Sequence, residues 1–443
     1  MGKYKRYERY KDSGVEWIGE VPEGWRKSKI AWCFNMIGSG CTPNSTNEEF
    51  YDGDINWLIT GDLNDGTINF TSKKITKLAL KEYSTLKLYS KNSLVVAMYG
   101  ATIGKLGITN IETATNQACC VLTKPRDANI KYMFYWFLAN RNEIVNLSQG
   151  GGQPNISQNL IKDLKIYKPS IKEQTQIADF LDQKTSEIDA LVADKEKLII
   201  LLEEKRQAII TEAVTKGLDP NVKMKDSGVE WIGEVPVHWN LSKIKYQAYI
   251  NSITLEENTD KELEIKYIDI SSVNSNGEVI NIENYYFENA PSRARRIIKK
   301  GDTIVSTVRT YLKAIAWFEN VEDNMICSTG FAVLSPKNGI CPKYLFYLMR
   351  STNYIDEIVK RSTGVSYPAI TATEIGTIEC LLPYKEEQID IVRYIDDKIE
   401  EINVLIELIN QQIQKLKEYR QSLISEAVTG KIDLRDKAGR FDD

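Results

Sequence analysis

The sequence contains a single histidine, His238, among its 443 residues. One histidine cannot form a His-rich metal site, and it argues against a Ser/His or Cys/His catalytic arrangement. We interpret His238 as a surface loop residue. The seven cysteines show no Cys-x-x-Cys spacing, only the adjacent pair Cys119–Cys120. We therefore predict that they are reduced, structural thiols.

Long apolar runs are also missing. None reaches the ~18 residues that a membrane-spanning helix needs. The first ten residues, MGKYKRYERY, lack the apolar core of a signal peptide. We expect a cytoplasmic protein, and its length predicts more than one domain, since domains usually have about 100–200 residues.

The motifs of common enzymes are absent as well. The stretch MYGATIGKLG at 98–107 has three residues instead of four before Gly-Lys, and Leu106 stands where a phosphate-binding loop needs Ser or Thr. No Asn-Pro-Pro-Tyr-like tetrapeptide and no glycine-rich cofactor fingerprint occurs. The charged stretch 260–266 resembles a nuclease cluster only weakly, and we interpret it as solvated. The sequence predicts no catalytic site.

What the sequence does contain is an internal duplication. The segment KDSGVEWIGEVP occurs at 11–22 and again, unchanged, at 225–236. At the same offset of 214 residues, QAIITEAVTKGLD at 207–219 aligns with QSLISEAVTGKID at 421–433. The stretches between these repeats share little. We predict two halves with a common frame and divergent inserts.

Each half ends in a predicted long helix of about 45 residues, because apolar residues recur at alternating spacings of three and four. Ser170 and Glu173 predict a capping box at the start of the first helix, and Gly217 and Gly430 predict left-handed C-caps. The predicted seam consists of Leu181, Ile188, Val192, Ile199, Leu202, Ile209, Ile395, Ile399, Ile402, Ile406, Ile409, Ile413, Leu416 and Leu423.

Each predicted long helix carries an apolar stripe that must pack against another surface. We expect the two helices to pack on each other as an antiparallel coiled coil, since a tandem duplication favours a pseudo-two-fold relation. The alternative is that each helix lies on its own domain. Arg206 and Arg420 occupy equivalent seam positions, where they either set the register through polar contacts or extend to solvent.

The inserts predict mixed α/β domains. Short β-branched runs at 92–98 and 302–308 predict strands, and the aromatic runs at 131–139 and 343–350 predict matching buried helices. The predicted fold class is therefore α+β. Its expected parts are a first domain at 1–170, a helix at 171–217, a second domain at 218–384, a helix at 385–430 and a tail at 431–443.

The net charge of −4 does not suggest a nucleic-acid binder, but its distribution does. Lysine and arginine cluster at 72–91 and 291–313, whereas 171–216 is acidic. Basic side chains contact phosphates, and polar side chains read base edges. We expect DNA contacts at basic or polar loop positions, namely Ser39, Thr42, Lys73, Lys74, Thr102, Lys105, Gln153, Arg293, Arg295, Arg309, Thr310, Lys313, Ser366 and Tyr367.

The chain resembles the specificity subunits of type I restriction–modification systems. The resemblance covers nearly the whole chain. It lies in KPSIKEQTQIADFLD at 168–182, its echo LPYKEEQIDIVRYID at 382–396, GGQPNIS at 151–157, and the repeats given above. The family's usual Pro-Leu-Pro before the helix is here Tyr-Lys-Pro and Leu-Leu-Pro, and the second glycine-rich loop keeps only one glycine.

The resemblance implies that each half has a target recognition domain followed by a helix of the coiled coil, and that the prokaryotic subunit recognises double-stranded DNA with a bipartite site. It implies no catalytic centre in this chain. Two methyltransferase subunits and two restriction subunits would be the partners, and they would bind S-adenosylmethionine, ATP and magnesium. Two other interpretations stay open: a stand-alone DNA methyltransferase or nuclease, and a DNA-independent coiled-coil scaffold.

Changing the length of one long helix tests the idea that the coiled coil sets the spacing of the DNA site. One added heptad lengthens a helix by about 10 Å, or ~3 base pairs. We expect the variant, paired with its methyltransferase, to accept a longer spacer when its methylated sites are mapped. An unaltered spacer preference would contradict the idea.

Overall fold

A computed structural model describes residues 4–148 and 155–435. These residues fall into two units. The first unit comprises Met1–Asp194 with Gln411–Asp443, and the second comprises Lys195–Asn410. Each unit therefore contains one globular domain and one stretch of each long helix.

The strands of the first unit form a five-stranded sheet in the order β4-β11-β8-β9-β6, a three-stranded sheet in the order β10-β5-β7, and two ribbons, β1-β2 and β12-β3. They are β1 (Tyr10–Asp12), β2 (Glu20–Pro22), β3 (Arg26–Lys29), β4 (Phe34–Gly38), β5 (Tyr51–Leu58), β6 (Gly66–Ile68), β7 (Lys73–Ile75), β8 (Leu94–Ala97), β9 (Leu106–Thr109), β10 (Ala114–Thr115), β11 (Cys119–Pro125) and β12 (Lys165–Lys168).

The strands of the second unit form two four-stranded sheets, in the orders β16-β23-β20-β21 and β18-β17-β22-β19, and the ribbons β13-β14 and β15-β24. They are β13 (Met224–Asp226), β14 (Glu234–Pro236), β15 (Asn240–Lys243), β16 (Ala248–Ile250), β17 (Glu264–Ile268), β18 (Glu283–Tyr286), β19 (Ala294–Ile297), β20 (Thr303–Ser306), β21 (Ile315–Trp317), β22 (Met325–Ser328), β23 (Phe331–Pro336) and β24 (Glu379–Leu382).

The two units share one topology although their inserts share little sequence. The order β4-β11-β8-β9 in the first unit corresponds to β16-β23-β20-β21 in the second. In the other sheet, β5 pairs parallel with β10 and antiparallel with β7, and β17 pairs parallel with β22 and antiparallel with β18. The predicted duplication of two mixed α/β domains is confirmed.

The helices complete both units, and no described helix is long and apolar enough to span a membrane. The helices are α1 (Ile30–Cys33), α2 (Lys77–Glu82), α3 (Ile130–Ala139), α4 (Arg141–Asn146), α5 (Gln158–Asp163), α6 (Ile171–Lys216), α7 (Ile244–Gln247), α8 (Pro342–Arg350), α9 (Thr352–Arg361), α10 (Ala372–Thr377) and α11 (Lys385–Val428).

The ends of the long helices α6 and α11 follow their sequence signals in part. Gly217 and Gly430 adopt the left-handed conformation, with φ of +76° and +73°, as C-caps do. At the start of α6, the Ser170 hydroxyl accepts the Glu173 N–H at 3.3 Å. The Glu173 carboxylate, however, accepts hydrogen bonds from Tyr7 and Trp25, so its predicted role in a capping box is replaced by contacts to the domain.

The two long helices pack antiparallel in each unit. In the first, Asp189 of α6 accepts two hydrogen bonds from Arg420 of α11, at 2.8 and 3.1 Å. In the second, Arg206 of α6 donates to Asn403 of α11 at 2.5 Å. Later residues of α6 thus meet earlier residues of α11. Both seam arginines make polar contacts between the helices instead of extending to solvent.

The predicted seam residues lie on the inner side of these helices. Eight of the fourteen are buried and the other six are half-buried. Apolar residues elsewhere on the helices are exposed, for example Ile200 and Val404. The hydrophobic free energy of the seam therefore comes from the heptad positions.

A glutamine at the start of each long helix joins it to the neighbouring domain. Gln174 is fully buried. Its Oε1 atom accepts the N–H of Asn129, the N-cap of α3, at 2.9 Å, and its Nε2 atom donates to the Pro169 carbonyl at 3.0 Å. Gln388 makes the equivalent bonds to the Cys341 N–H at 2.7 Å and the Pro383 carbonyl at 3.0 Å.

The single histidine lies against the start of α11. His238 is half-buried, its Nε2 atom lies 2.9 Å from a Glu387 carboxylate oxygen, and its ring stacks on Tyr384. Trp239 donates its indole N–H to the same carboxylate at 3.0 Å. His238 does lie in a turn at the surface, as predicted, but it is half-buried because this turn packs against the start of α11.

Substituting Gln174 by Leu tests the joint at the start of α6. Leucine fills a similar volume but leaves the Asn129 N–H and the Pro169 carbonyl without partners, each costing about 1–3 kcal/mol. We expect a lower free energy of unfolding in urea and faster hydrogen exchange at Asn129. Gln183→Leu, at an exposed position of the same helix, is the control and should change neither quantity. Equal effects of both substitutions would contradict the assigned role.

Candidate nucleic-acid interface

The two units present the same turn at the same point of their topology. Residues Thr102–Lys105 connect β8 to β9, and residues Thr310–Lys313 connect β20 to β21. The Lys105 N–H donates to the Thr102 carbonyl at 2.9 Å, and the Lys313 N–H donates to the Thr310 carbonyl at 3.1 Å. Four of the predicted DNA-contacting residues thus lie in equivalent turns, although the strand registers align Lys313 with Gly104, one residue before Lys105. The lysines are exposed at both turns.

A second loop lies beside each turn. In the first unit Tyr99 forms an antiparallel bridge with Asn155, and in the second Val308 forms one with Ala369. Asn155 and Ala369 are related by the same offset of 214 residues as the repeats, so the two bridges correspond. Gln153 lies outside the described residues.

Ser39 and Thr42 lie in the segment that follows β4 in the first unit. The Thr42 hydroxyl donates to the Gln117 side chain at 2.7 Å, and the Ser39 hydroxyl donates to Gln158 at 3.5 Å. The backbone between them is held close to β10, since a Cβ atom at Gly40 would lie 1.7 Å from the Thr115 carbonyl oxygen. Gly40 is therefore required for this close approach.

Lys73 and Lys74 lie on a different sheet from the turn. Lys73 begins β7 and pairs in register with Trp57 of β5. In the same sheet Trp57 also pairs with Ala114 of β10. Lys73 therefore lies at the end of the sheet where β10 leads into Gln117. Lys74 is the next residue, and strand alternation turns it to the opposite face. Both side chains are exposed.

In the second unit the predicted residues form a tighter cluster. Arg309 and Lys313 adopt left-handed backbone conformations, with φ of +52° and +56°, which is uncommon for non-glycine residues and often marks functional sites. The Arg309 guanidinium lies 4.6 Å from the centre of the Tyr367 ring. Thr310 is buried and its hydroxyl lies 2.8 Å from that of Ser362. Thr310 therefore fixes the turn, while Arg309, Lys313, Ser366 and Tyr367 are exposed.

Arg293 is linked to the segment that leads into this turn through backbone hydrogen bonds. The Arg293 carbonyl accepts the Thr329 N–H, and the next carbonyl, of Gly330, accepts the Thr307 N–H, both at 2.8 Å. Arg293 is exposed, whereas Arg295 is half-buried with its guanidinium 4.8 Å from the Phe287 ring centre. Arg293 is therefore the better placed of the two arginines to act together with the turn.

Several exposed residues at these surfaces are apolar or aromatic and were not among the predicted DNA contacts, which are mostly basic or polar. Phe70 lies three residues before Lys73 and is 79% exposed. Tyr311 projects from the second turn, and Val365 is fully exposed in the adjoining loop. Gln117, the partner of Thr42, carried no distinguishing signal. The only signal for the others was an isolated apolar residue among polar neighbours.

The described residues contain no group of three or more His, Cys, Asp or Glu side chains that could hold a metal ion. Lys266, in the stretch with weak nuclease likeness, forms an ion pair with Glu322. Burial raises the pKa of the Cys120 thiol to about 12 and also raises the pKa of Cys119. Both thiols are therefore protonated at neutral pH, and none of the described cysteines forms a disulfide.

Comparison with known proteins gives relatives along the whole chain. The type I restriction enzyme MjaVIII specificity subunit of Methanocaldococcus jannaschii is 23% identical over 434 residues, which cover 94% of each chain. The EcoKI specificity subunit of Escherichia coli is 22% identical over 95% of this chain and 92% of that protein. The HindI specificity subunit of Haemophilus influenzae is 33% identical over 150 residues, or 32% of each chain.

Solved structures share the fold. A chain from a study of complex assembly and conformational transition of the type I R-M system superposes with a TM-score of 0.69 at 15% identity, over 93% of this chain and 99% of that chain. The crystal structure of the HsdS subunit from Thermoanaerobacter tengcongensis gives 0.55 at 16% identity, over 95% and 100%.

A family model described as the type I restriction modification DNA specificity domain matches this chain twice, at residues 22–199 and 236–418. Each match spans one globular domain and most of the long helix that follows it. Because the two matches together cover more than half of the chain, the protein belongs to the family of type I restriction–modification specificity subunits.

Proposed function

We propose that this chain is the DNA-reading, non-catalytic subunit of a type I restriction–modification enzyme, and that each globular domain reads one half of a bipartite site in double-stranded DNA. The observation that carries the proposal is the shared turn. Thr102–Lys105 and Thr310–Lys313 hold the same place in two domains of one topology. The side chains around them differ, so each domain presents a different pattern to DNA.

The chemistry at the two turns suits this division. Lysines on exposed turns contact phosphates and position the domain, and they carry no sequence information. An arginine with its plane fixed by a tyrosine is prepared for bidentate bonding to guanine in the major groove. Arg309 has that arrangement over Tyr367. The first domain has Gly100 at the corresponding position, also with positive φ, so its recognition depends on other residues.

The long helices provide a surface for partner subunits. In the second unit, Leu198 and Leu201 of α6 and Leu405 and Leu408 of α11 are all 45–49% exposed. Each directly precedes a seam residue, and in an antiparallel pair such positions of both helices fall on the same side of the seam. These four residues, which we name the leucine stripe, form the kind of exposed apolar surface that marks a protein interface.

We infer that the leucine stripe binds helices of a methyltransferase subunit. The complete enzyme then contains two methyltransferase and two restriction subunits around this chain. Those subunits bind S-adenosylmethionine, ATP and magnesium, and they carry out methyl transfer, translocation and cleavage. This chain contributes the choice of DNA sequence and the positions of its partners.

The decisive experiment is to map methylated sites genome-wide in cells that express this chain with its methyltransferase. A bipartite motif that changes when this chain is exchanged supports the proposal. Methyl transfer or cleavage by the purified chain alone would favour the enzyme alternative. The absence of sequence-selective binding, even with the methyltransferase present, would favour the scaffold alternative.

Replacing Arg309 by Ala tests base reading. We expect a loss of about 1–3 kcal/mol in binding free energy at one base position of the second half-site, with other positions unchanged. Lys105→Ala is the contrasting variant. Loss of a phosphate contact should weaken binding to all sequences and lower the salt slope by about one. Binding of Arg309→Ala that equals wild type on every sequence would remove Arg309 from the reading residues.

Replacing leucines of the stripe tests the partner surface. Burying one leucine contributes about 1.5–3 kcal/mol, so Leu201→Ser with Leu408→Ser should weaken methyltransferase binding by at least about tenfold. Titration calorimetry measures this affinity. Ile200→Ser with Val404→Ser, exposed positions on other faces of the same helices, is the control pair. Equal binding by both pairs would contradict the assigned surface.

A further inference from the structure

The loop that carries Ser366 and Tyr367 is a closed hairpin. Thr363 and Ala369 exchange two backbone hydrogen bonds, each at 2.9 Å. Gly364 follows with φ of +109°, a conformation that residues with side chains rarely adopt. The five residues from 364 to 368 therefore form a loop with a fixed base, and Val365 and Ser366 lie toward its tip.

The hairpin is also attached to the second turn. The Arg309 N–H donates to the Pro368 carbonyl at 2.8 Å, and the Ile370 N–H donates to the Thr307 carbonyl at 2.9 Å. On the other arm, the hydroxyls of Ser362 and Thr310 lie 2.8 Å apart. Both arms of the hairpin are thus bonded to the turn that bears Arg309 and Lys313.

Val365 is fully exposed, at 101% of its reference area. A single exposed valine on an ordinary surface needs no explanation. Here it belongs to a hairpin whose two arms are hydrogen-bonded to the turn that bears two cationic side chains, Arg309 and Lys313. Those charges attract the DNA backbone, and a protruding tip next to them reaches the base edges when the turn is seated on phosphates.

An apolar tip selects a particular base. In the major groove, the edges of adenine, guanine and cytosine offer hydrogen-bonding groups, and the 5-methyl group of thymine is the apolar feature that distinguishes a base there. Burying a valine against hydrogen-bonding groups leaves them without partners. A valine at this position therefore favours a base pair that presents the methyl group.

We propose that Val365 reads the 5-methyl group of a thymine in the half-site bound by the second domain. The inference rests on the proposed function and deepens it, because it names a chemical group on the DNA. It also assigns the hairpin tip a role distinct from that of Arg309, which reads hydrogen-bonding groups.

Replacing thymine by uracil isolates the methyl group, since the two bases pair identically. The chain in complex with its methyltransferase is titrated, at fixed salt, with duplexes in which each thymine of the second half-site is replaced in turn. We expect one replacement to weaken binding by about fourfold, the effect of one buried methyl group. For Val365→Ser, we expect equally weak binding to the thymine and uracil duplexes at that position.

Val237→Ser is the matched control, because Val237 is also exposed but directly follows the repeated segment at 225–236, outside the hairpin and the turn. It should keep the wild-type preference for thymine. Equal thermal midpoints of the three proteins exclude a folding defect as the cause of any difference.

Three results would overturn the inference while the proposed function stands: wild type insensitive to every uracil replacement, Val365→Ser with the full wild-type sensitivity, or a second half-site without thymine. In each case the complex would still distinguish its cognate duplex from a scrambled one. If wild type makes no such distinction, the proposed function and this inference fail together.

Discussion

The architecture depends on a buried amide at the start of each long helix. Gln174 and Gln388 each satisfy one backbone N–H of the domain and one carbonyl of the segment that enters the helix. A buried amide that loses either partner pays a desolvation cost, so the domain and the helix keep a fixed geometry. The neighbouring carboxylates of Glu173 and Glu387 accept the indole N–H groups of Trp25 and Trp239. The tryptophan just after the repeated segment, the divergent insert and the start of the long helix therefore meet at one point in each unit.

This joint explains why the inserts can differ while the frame repeats. The glutamines bond to backbone atoms of the domains, at Asn129 and Cys341, and backbone atoms do not depend on the side chains of the insert. The tryptophans, in contrast, each stand three residues after a repeated segment, at the same place in both halves. Varying the inserts thus leaves the joint unchanged, and this separation suits the proposed function, in which one type of support holds two different DNA readers.

The seam shows how an internal duplication acquires asymmetry. Arg420 meets the carboxylate of Asp189, whereas Arg206, at the equivalent position, meets the amide of Asn403 and pairs with Glu203 at 2.8 Å. Polar contacts in a helix–helix seam add little net stability, and their attested effect is on register. The Arg420–Asp189 and Arg206–Asn403 contacts are chemically distinct. Exchanging their partners would change both contacts, so they favour one register between α6 and α11.

The sequence by itself determined the parts that follow from periodicity and repetition. Heptad spacing, glycine C-caps and β-branched runs depend on neighbours in the chain, and these placed α6, α11, α3, α8 and the strands around 94–97 and 303–306. The tertiary structure alone decided the rest. The Glu173 carboxylate accepts hydrogen bonds from Tyr7 and Trp25 instead of capping its helix, His238 stacks on Tyr384, and Tyr367 packs against Arg309. These outcomes depend on contacts between residues far apart in the chain. The free energies of such contacts outweigh local conformational preferences, and the contacts leave no periodic pattern in the sequence.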